Sequence, residues 1–148
     1  MKLELDRYVP GLLLWLSNKV SASASTLYRE RFDLGVTDWR VLSYIEIYPW
    51  STASQACELM GLDKAAVSRS LATLKDGGWL KSRPRGLRKI EFATTASGKK
   101  LHDRIIDLAI AREEALLSGF TREERDVLIA GLHRMLGNPA YSLQVGHD

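Results

Sequence analysis

Apolar residues recur along the first part of the chain at Val9, Leu12, Leu13, Leu16, Val20, Leu27 and Phe32. Steps of three and four put such residues on one helix face, so the pattern predicts a long helix over residues 8–32, with Pro10 tolerated in its first turn. The run Ser21-Ala22-Ser23-Ala24-Ser25 interrupts the stripe. Residues that small suit close helix packing, with a flexible break the lesser alternative. Asp33-Leu34-Gly35 ends the helix, and Thr37 is expected to cap a second one carrying Trp39, Leu42, Tyr44 and Ile45 up to Pro49. Thr52-Ala53-Ser54-Gln55 has the spacing of a capping box and starts a third helix that runs to Met60. Gly61-Leu62-Asp63 leaves room only for a tight turn, and Asp63 is a good N-cap for a fourth helix. In that fourth helix Val67, Leu71 and Leu74 face a core, and Gly77-Gly78 stop it.

The period then changes from helical to extended. Trp79-Leu80-Lys81-Ser82-Arg83 and Lys89-Ile90-Glu91-Phe92-Ala93 read as two strands joined by the turn-prone Pro84-Arg85-Gly86-Leu87. Two helices complete the chain. One, over 97–118, carries Leu101, Ile105, Leu108, Ala109, Ala115 and Leu116. The other opens at the capping box Thr121-Arg122-Glu123-Glu124 and runs through Val127, Leu128, Leu132 and Met135 to Gly137-Asn138-Pro139. Residues after Pro139 are expected to fray or trail onto a partner. The fold class is therefore mostly α with a small β-hairpin wing: a winged helix-turn-helix with extra helices at both ends. The apolar stripes of those end helices need burial, and a second subunit supplies it naturally. Trp15 reads as core or dimer packing.

Charge sharpens this picture. Between Lys64 and Lys100 there are ten Lys or Arg against Asp76 and Glu91, a net +8, so the rest of this +3 chain carries −5. Five of the nine residues from Lys81 to Lys89 are cationic. The solvent face of the fourth helix carries Lys64, Ala65, Ser68, Arg69, Ala72 and Thr73: two cations, hydroxyls, small residues and no acid. Helix, turn and helix followed by a basic hairpin match a DNA-binding unit whose second helix enters the major groove. Lys64 and Arg69 are expected at base edges or phosphates, Ser68 and Thr73 as hydrogen-bonding groups, and Ala65 as an apolar contact. In the wing, Arg83, Arg85, Arg88 and Lys89 are placed for phosphates or the minor groove.

Other chemistries find little support. His102, His133 and His147 are far apart, no glycine-rich phosphate loop is present, and Cys57 has no base nearby, so no catalytic residue, metal or cofactor is expected. The single cysteine also excludes an intrachain disulfide, and its neighbours Ala56 and Leu59 suggest an inert, buried helical position. His102 and His133 are expected at exposed or dimer-facing positions. Without an apolar run of about eighteen residues, or a signal-peptide pattern, the chain is expected in the cytoplasm, off the membrane.

In their order, four stretches resemble the MarR family of bacterial winged-helix regulators: Leu34-Gly35-Val36-Thr37-Asp38-Trp39-Arg40-Val41-Leu42, Gly61-Leu62-Asp63-Lys64-Ala65-Ala66-Val67-Ser68-Arg69, Leu74 through Leu80, and Thr94-Thr95-Ala96-Ser97-Gly98. The resemblance covers nearly the whole chain. It implies one subunit over 1–148, with the DNA-binding region at 35–94 and dimerisation helices at 5–32 and 95–148. It further implies a homodimeric transcriptional regulator, a repressor, that recognises a pseudo-palindromic operator in double-stranded DNA. Release by a small aromatic or apolar effector is implied too, with Trp15, Trp39 and Tyr44 able to line a crevice for it. The alternative is a winged helix used as a protein-interaction module without specific operator binding. One departure concerns the wing, where the family's Asp-x-Arg triplet is replaced by Gly86-Leu87-Arg88. Arg88 is carried over as a groove contact without its usual carboxylate.

Overall fold

Helix α1 (Val9–Phe32) follows a short 3-10 turn at Leu5–Arg7 in the computed structural model, which describes residues 1–144. The serine-rich run does not break it. Ser23 and Thr26 donate back to the carbonyls of Val20 and Ala22, which satisfies their hydroxyls inside the helix, and Ala24 and Tyr28 are buried. Asp33 turns left-handed at φ 54° and closes α1 by donating its N–H to the Arg29 carbonyl at 3.0 Å.

Helix α2 (Val36–Ile47) begins before Thr37, and its N-cap is Gly35. The expected threonine cap is thus replaced by a carboxylate from inside the first turn: Asp38 Oδ2 accepts the Gly35 N–H at 2.9 Å. Helix α3 (Ala53–Met60) has the anticipated capping box, with the Gln55 side chain accepting the Thr52 N–H at 2.9 Å and the Gln55 N–H donating to Thr52 Oγ1 at 3.3 Å. Gly61, left-handed at φ 63°, then turns the chain into α4 (Lys64–Asp76), where Asp63 Oδ2 accepts the Ala66 N–H at 3.1 Å. Val67, Leu71 and Leu74 pack with Leu34, Val41, Leu42 and Ile45 in a core that excludes water almost completely. Cys57 departs from expectation. It is half-buried with a free thiol, because Ala56 is the α3 residue turned inward and Leu59 is exposed.

Three antiparallel strands follow the order β1-β3-β2: β1 (Ser51–Thr52), β2 (Leu80–Arg85) and β3 (Lys89–Thr94). The two-residue β1 is too short to leave a periodic signal in sequence. Pairing of β2 with β3 continues to Arg85↔Lys89, so Pro84 and Arg85 belong to the strand and the turn is Gly86-Leu87-Arg88. Pro84 is tolerated because β2 is an edge strand, where its missing N–H breaks no ladder.

Helix α5 (Ala96–Leu116) is anchored by Thr95, whose hydroxyl accepts the Gly98 N–H at 3.0 Å and donates to the Gly78 carbonyl at 2.7 Å. Gly98 lies so close to the turn after α4 that a Cβ there would stand 2.1 Å from the Trp79 carbonyl oxygen. His102, expected at an exposed or dimer-facing position, is buried one residue after Leu101, with its ring 5.2 Å from that of Trp39.

Met1–Asp107 and the residues from Leu108 onward form two units, dividing within α5. In the second unit, α6 (Arg122–Leu136) opens on its capping box at Thr121 and Glu124. Arg125 is bidentate on Glu114 at 2.8 and 3.3 Å; that hydrogen bond, and then the guanidinium charge, hold the Glu114 carboxyl below its ordinary range. Such a pair adds stability above the unfolded carboxyl's titration range, and the contribution fades as pH falls through the folded one. Past Pro139 the chain does not fray at once: Pro139–Gln144 form the short helix α7, with Asn138 Oδ1 accepting the Ala140 N–H. His133 is exposed, and His147 lies outside the described residues.

Large apolar side chains remain uncovered in each unit. In the first they are Leu12, Leu13, Leu14, Trp15 and Leu16, so Trp15 lies outside the core of its own unit. In the second, Val127, Leu128, Ile129, Leu132, Met135 and Leu136 are exposed.

The close approach at Gly98 predicts that Gly98→Ala costs roughly 1–3 kcal/mol by overpacking against backbone that cannot yield. Chemical denaturation of the two proteins measures this, and an unchanged midpoint would show that the α5 start can shift without cost.

Candidate nucleic-acid interface

Helix α4 presents its outer face between two grooves. The first, of about 380 Å³, lies between α4 and the wing, and its cations are Lys64, Lys75, Arg88 and Lys89. Ser68 and Ala72 of α4 line it with Ile90 and Phe92 of β3. The second, of about 400 Å³, lies on the other flank of α4, where Arg69 and Thr73 meet the end of α1 and the start of α2. Lys64, Ala65, Ser68, Arg69 and Thr73 are all exposed. The structure therefore splits this set. Lys64 and Ser68 go to the wing side, Arg69 and Thr73 to the α1 side, and Ala65 lines neither groove.

A side chain absent from the sequence reading fixes the pose of α4. Ser70 is buried on its inner face and donates to Asp38 Oδ1 at 2.7 Å, while the other oxygen of Asp38 caps α2. One carboxylate thus ties the first turn of α2 to the middle of α4. A hydrogen bond to a charged group that is partly buried is worth roughly 1.5–3 kcal/mol, more than a neutral one.

In the wing, strand alternation puts Lys81, Arg83 and Arg85 on one face with Glu91, and Ile90 and Phe92 on other positions of β3 that reach the α4 groove. Arg83 Nε donates to Glu91 Oε1 at 2.9 Å, and Arg85 Nε lies 3.7 Å from Oε2 of the same carboxylate. The Arg83 guanidinium also stacks 3.9 Å above the ring of Trp50, with the Lys81 ammonium 5.7 Å from that ring. Trp50 holds a left-handed φ of 60°, a conformation costing on the order of 1 kcal/mol for a residue with a Cβ. Its N–H is fixed to the Phe92 carbonyl at 2.7 Å.

The four wing cations are therefore not equivalent. Arg83 is held by Glu91 and Trp50, and Arg85 is drawn to Glu91. Among the described residues, no side-chain hydrogen bond or ion pair holds Arg88 or Lys89, nor Lys64, Arg69 or Lys75. The carboxylate missing beside Arg88 is present elsewhere in the wing, two strand positions beyond Lys89, where it supports Arg83 and Arg85.

The remaining sequence candidates are not brought together. Trp39 packs on Tyr28 and His102, Tyr44 on Tyr48, and Trp15 lies exposed on α1, with no described ring contact joining the three. Among the described residues no cluster of His, Cys, Asp or Glu could hold a metal ion, and no helix is long and apolar enough to cross a membrane.

Comparison with known proteins agrees with this geometry. A sequence model of the MarR family matches residues 32–88, the stretch from the end of α1 to the wing turn. The uncharacterized HTH-type transcriptional regulator YybA of Bacillus subtilis is 28% identical over 110 residues, spanning 72% of this chain and 73% of YybA. Among solved structures, a MarR/EmrR family transcriptional regulator from Acinetobacter sp. ADP1 superposes with a TM-score of 0.85 at 28% identity, over 94% of this chain and 99% of that one. MepR of S. aureus, solved as a complex with DNA, shares the fold at a TM-score of 0.74 and 20% identity, over 88% of this chain and 96% of its own. A winged helix with a cationic groove on each side of α4 is thus similar, in the sequence of residues 32–88 and in fold over most of the chain, to the MarR family of transcriptional regulators.

Proposed function

We propose that the chain is a cytoplasmic, homodimeric repressor that binds a pseudo-palindromic operator, with α4 of each protomer in a major groove and the wing beside it. The observation that carries this reading is the set of unpaired cations, Lys64, Lys75, Arg88 and Lys89, gathered around one groove between α4 and the wing. Cations left without protein partners retain their full attraction for a polyanion, and binding it releases counterions.

Dimerisation is supported by the uncovered apolar side chains of α1 and α6, which a single chain leaves in water. The two-fold axis of such a dimer sets half-sites about 10 bp apart, centre to centre. Within each half-site, Ser68 and Ala65 are placed for base edges, and Lys64 for a base or phosphate. Release by a small aromatic or apolar molecule would act through the rings of Tyr28, Trp39 and His102, which join α1, α2 and α5. A ligand that separates those rings shifts α2 and, through Asp38 and Ser70, α4. It changes operator affinity only as far as it prefers one of the two arrangements.

A gel shift with the DNA upstream of the chain's own gene tests the reading. A retarded band that resists excess unrelated duplex is expected, and binding no tighter than to unrelated duplex would reject operator recognition. The wing gives a sharper result. Arg88→Ala and Lys89→Ala should each flatten the dependence of log affinity on log salt by about 0.9 for every phosphate that is no longer neutralised. Arg83→Ala should leave that slope nearly unchanged and loosen the wing instead, seen as a change in tryptophan fluorescence that a Trp50→Phe background abolishes. A slope reduction in Arg83→Ala equal to that of Arg88→Ala would show that Glu91 releases Arg83 to the DNA.

A further inference from the structure

We infer that DNA is gripped on both flanks of α4, and that the second phosphate seat is the groove that α1 helps to build, with Arg29 and Ser25 of α1, Thr37 of α2, and Arg69 and Thr73 of α4 around one phosphodiester. This rests on the reading of α4 as the helix in the major groove. It extends the DNA-binding surface beyond the winged helix to the end of α1, and it assigns Arg69 to the backbone instead of to a base.

Helix geometry separates the two flanks. At roughly 100° per residue, Lys64, Ser68 and Lys75 share one edge of α4, Arg69 and Thr73 lie about 100° or more further round, and Ala65 and Ala72 form the crest between them. The two grooves share no residue of α4. A helix with its side chains is about 10–12 Å across and the major groove about 12 Å wide, so a seated helix meets a phosphate wall on each side. The wing-side groove faces one wall. The other wall falls to the groove at α1.

The lining of that groove suits a phosphodiester. Ser25, Thr37 and Thr73 bring hydroxyls, and Arg29 and Arg69 bring guanidinium groups that match phosphate oxygens in pairs. Asp38 also borders it, but each of its oxygens already accepts a hydrogen bond, from Gly35 N–H and from Ser70 Oγ. Arg29 reaches over the start of α2, where a Cβ on Gly35 would come within 3.3 Å of Nη2. Its present partners are the Asp33 carbonyl at 3.2 Å and the Asp33 carboxylate at 3.7 Å. That ion pair is solvent-exposed on both sides, so a phosphate can displace it at little cost. Arg69 has no described partner to give up.

The test uses a random-sequence duplex, titrated at several salt concentrations with the full chain and its variants. Arg29→Ala should flatten the salt dependence by about 0.9 per protomer and so about 1.8 for a dimer. Arg29→Lys should keep the wild-type slope, as should Arg31→Ala, whose cation lines a different cleft. Arg69→Ala should weaken all duplexes by the same factor, leaving base preference in a selection experiment unchanged. Should Arg29→Ala lower the unfolding midpoint, Ser25→Glu decides the matter, since it changes an exposed helix position and sets a carboxylate against the phosphate. It should lower affinity for every duplex several-fold. Wild-type slopes in both Arg29→Ala and Ser25→Glu, with Arg88→Ala flattened, would overturn the α1 seat and leave the DNA-binding reading intact. A base preference altered by Arg69→Ala would return that residue to base reading and overturn its place in the seat. If the wild-type chain binds no duplex in a salt-dependent manner, both readings fall.

Discussion

The Asp38 carboxylate sets the geometry on which the DNA-facing surface depends. Its two oxygens hold the first turn of α2 and the middle of α4, so the helix proposed to meet DNA is positioned by a charge-assisted bond as well as by packing. Packing alone would permit α4 to rotate slightly about its axis, since Val67, Leu71 and Leu74 are aliphatic and tolerate small shifts. A hydroxyl donating to a fixed carboxylate oxygen does not. Rotation matters here because the outer face of α4 has three strips of different chemistry, and turning it by one strip would aim alanines at phosphates and cations at bases.

A second constraint distributes the positive charge. Counted in sequence, every cation from Lys64 to Lys89 appears equally available to a polyanion. The structure engages some of them: Glu91 and Trp50 hold Arg83, and Glu91 draws Arg85. These bonds stiffen the hairpin by joining its two strands and linking them to the chain segment between α2 and α3. The wing can then present Arg88 and Lys89 at its end with their charge uncommitted. A hairpin with all its cations free would carry more charge and less shape, and shape is what allows a minor groove or a phosphate to be met at one place.

The elements were legible in the sequence wherever the signal is local. Capping boxes at Thr52 and Thr121, the Asp63 cap, and the alternation in the strands each depend on residues within four positions of one another. The helix-turn-helix and wing followed directly from them. Failures occurred where a partner is remote or where a stronger local competitor exists. Thr37 has the right chemistry for a cap, yet the helix already begins at Val36, so Thr37 lies inside its first turn while Asp38 accepts the Gly35 N–H. Ser70 appears unremarkable until Asp38, thirty-two residues earlier, is seen to accept its hydrogen bond. His102 lies where Trp39 needs a flat neighbour, which the spacing of α5 alone could not reveal. β1 owes its existence to Phe92 and Glu91 across the sheet.

The same distinction explains why α1 was legible as a helix but not as part of the proposed DNA-facing surface. Its apolar stripe dominates the sequence pattern and points to burial, which directs attention to its first half, where Leu12 to Leu16 are exposed. Its last two turns carry Ser25 and Arg29, polar residues that read as ordinary solvent-facing positions. Only the fold shows that Arg29 overhangs the start of α2 beside Arg69, and that α4 has a flank facing away from the wing. In the proposed dimer, a helix with an apolar stripe at one end and cations at the other would join the subunit contact to the DNA contact in a single element. In that proposal, a displacement of its apolar half would reach the groove at Arg29 along the helix axis. The coupling needs no hinge, because α1 is unbroken from Val9 to Phe32.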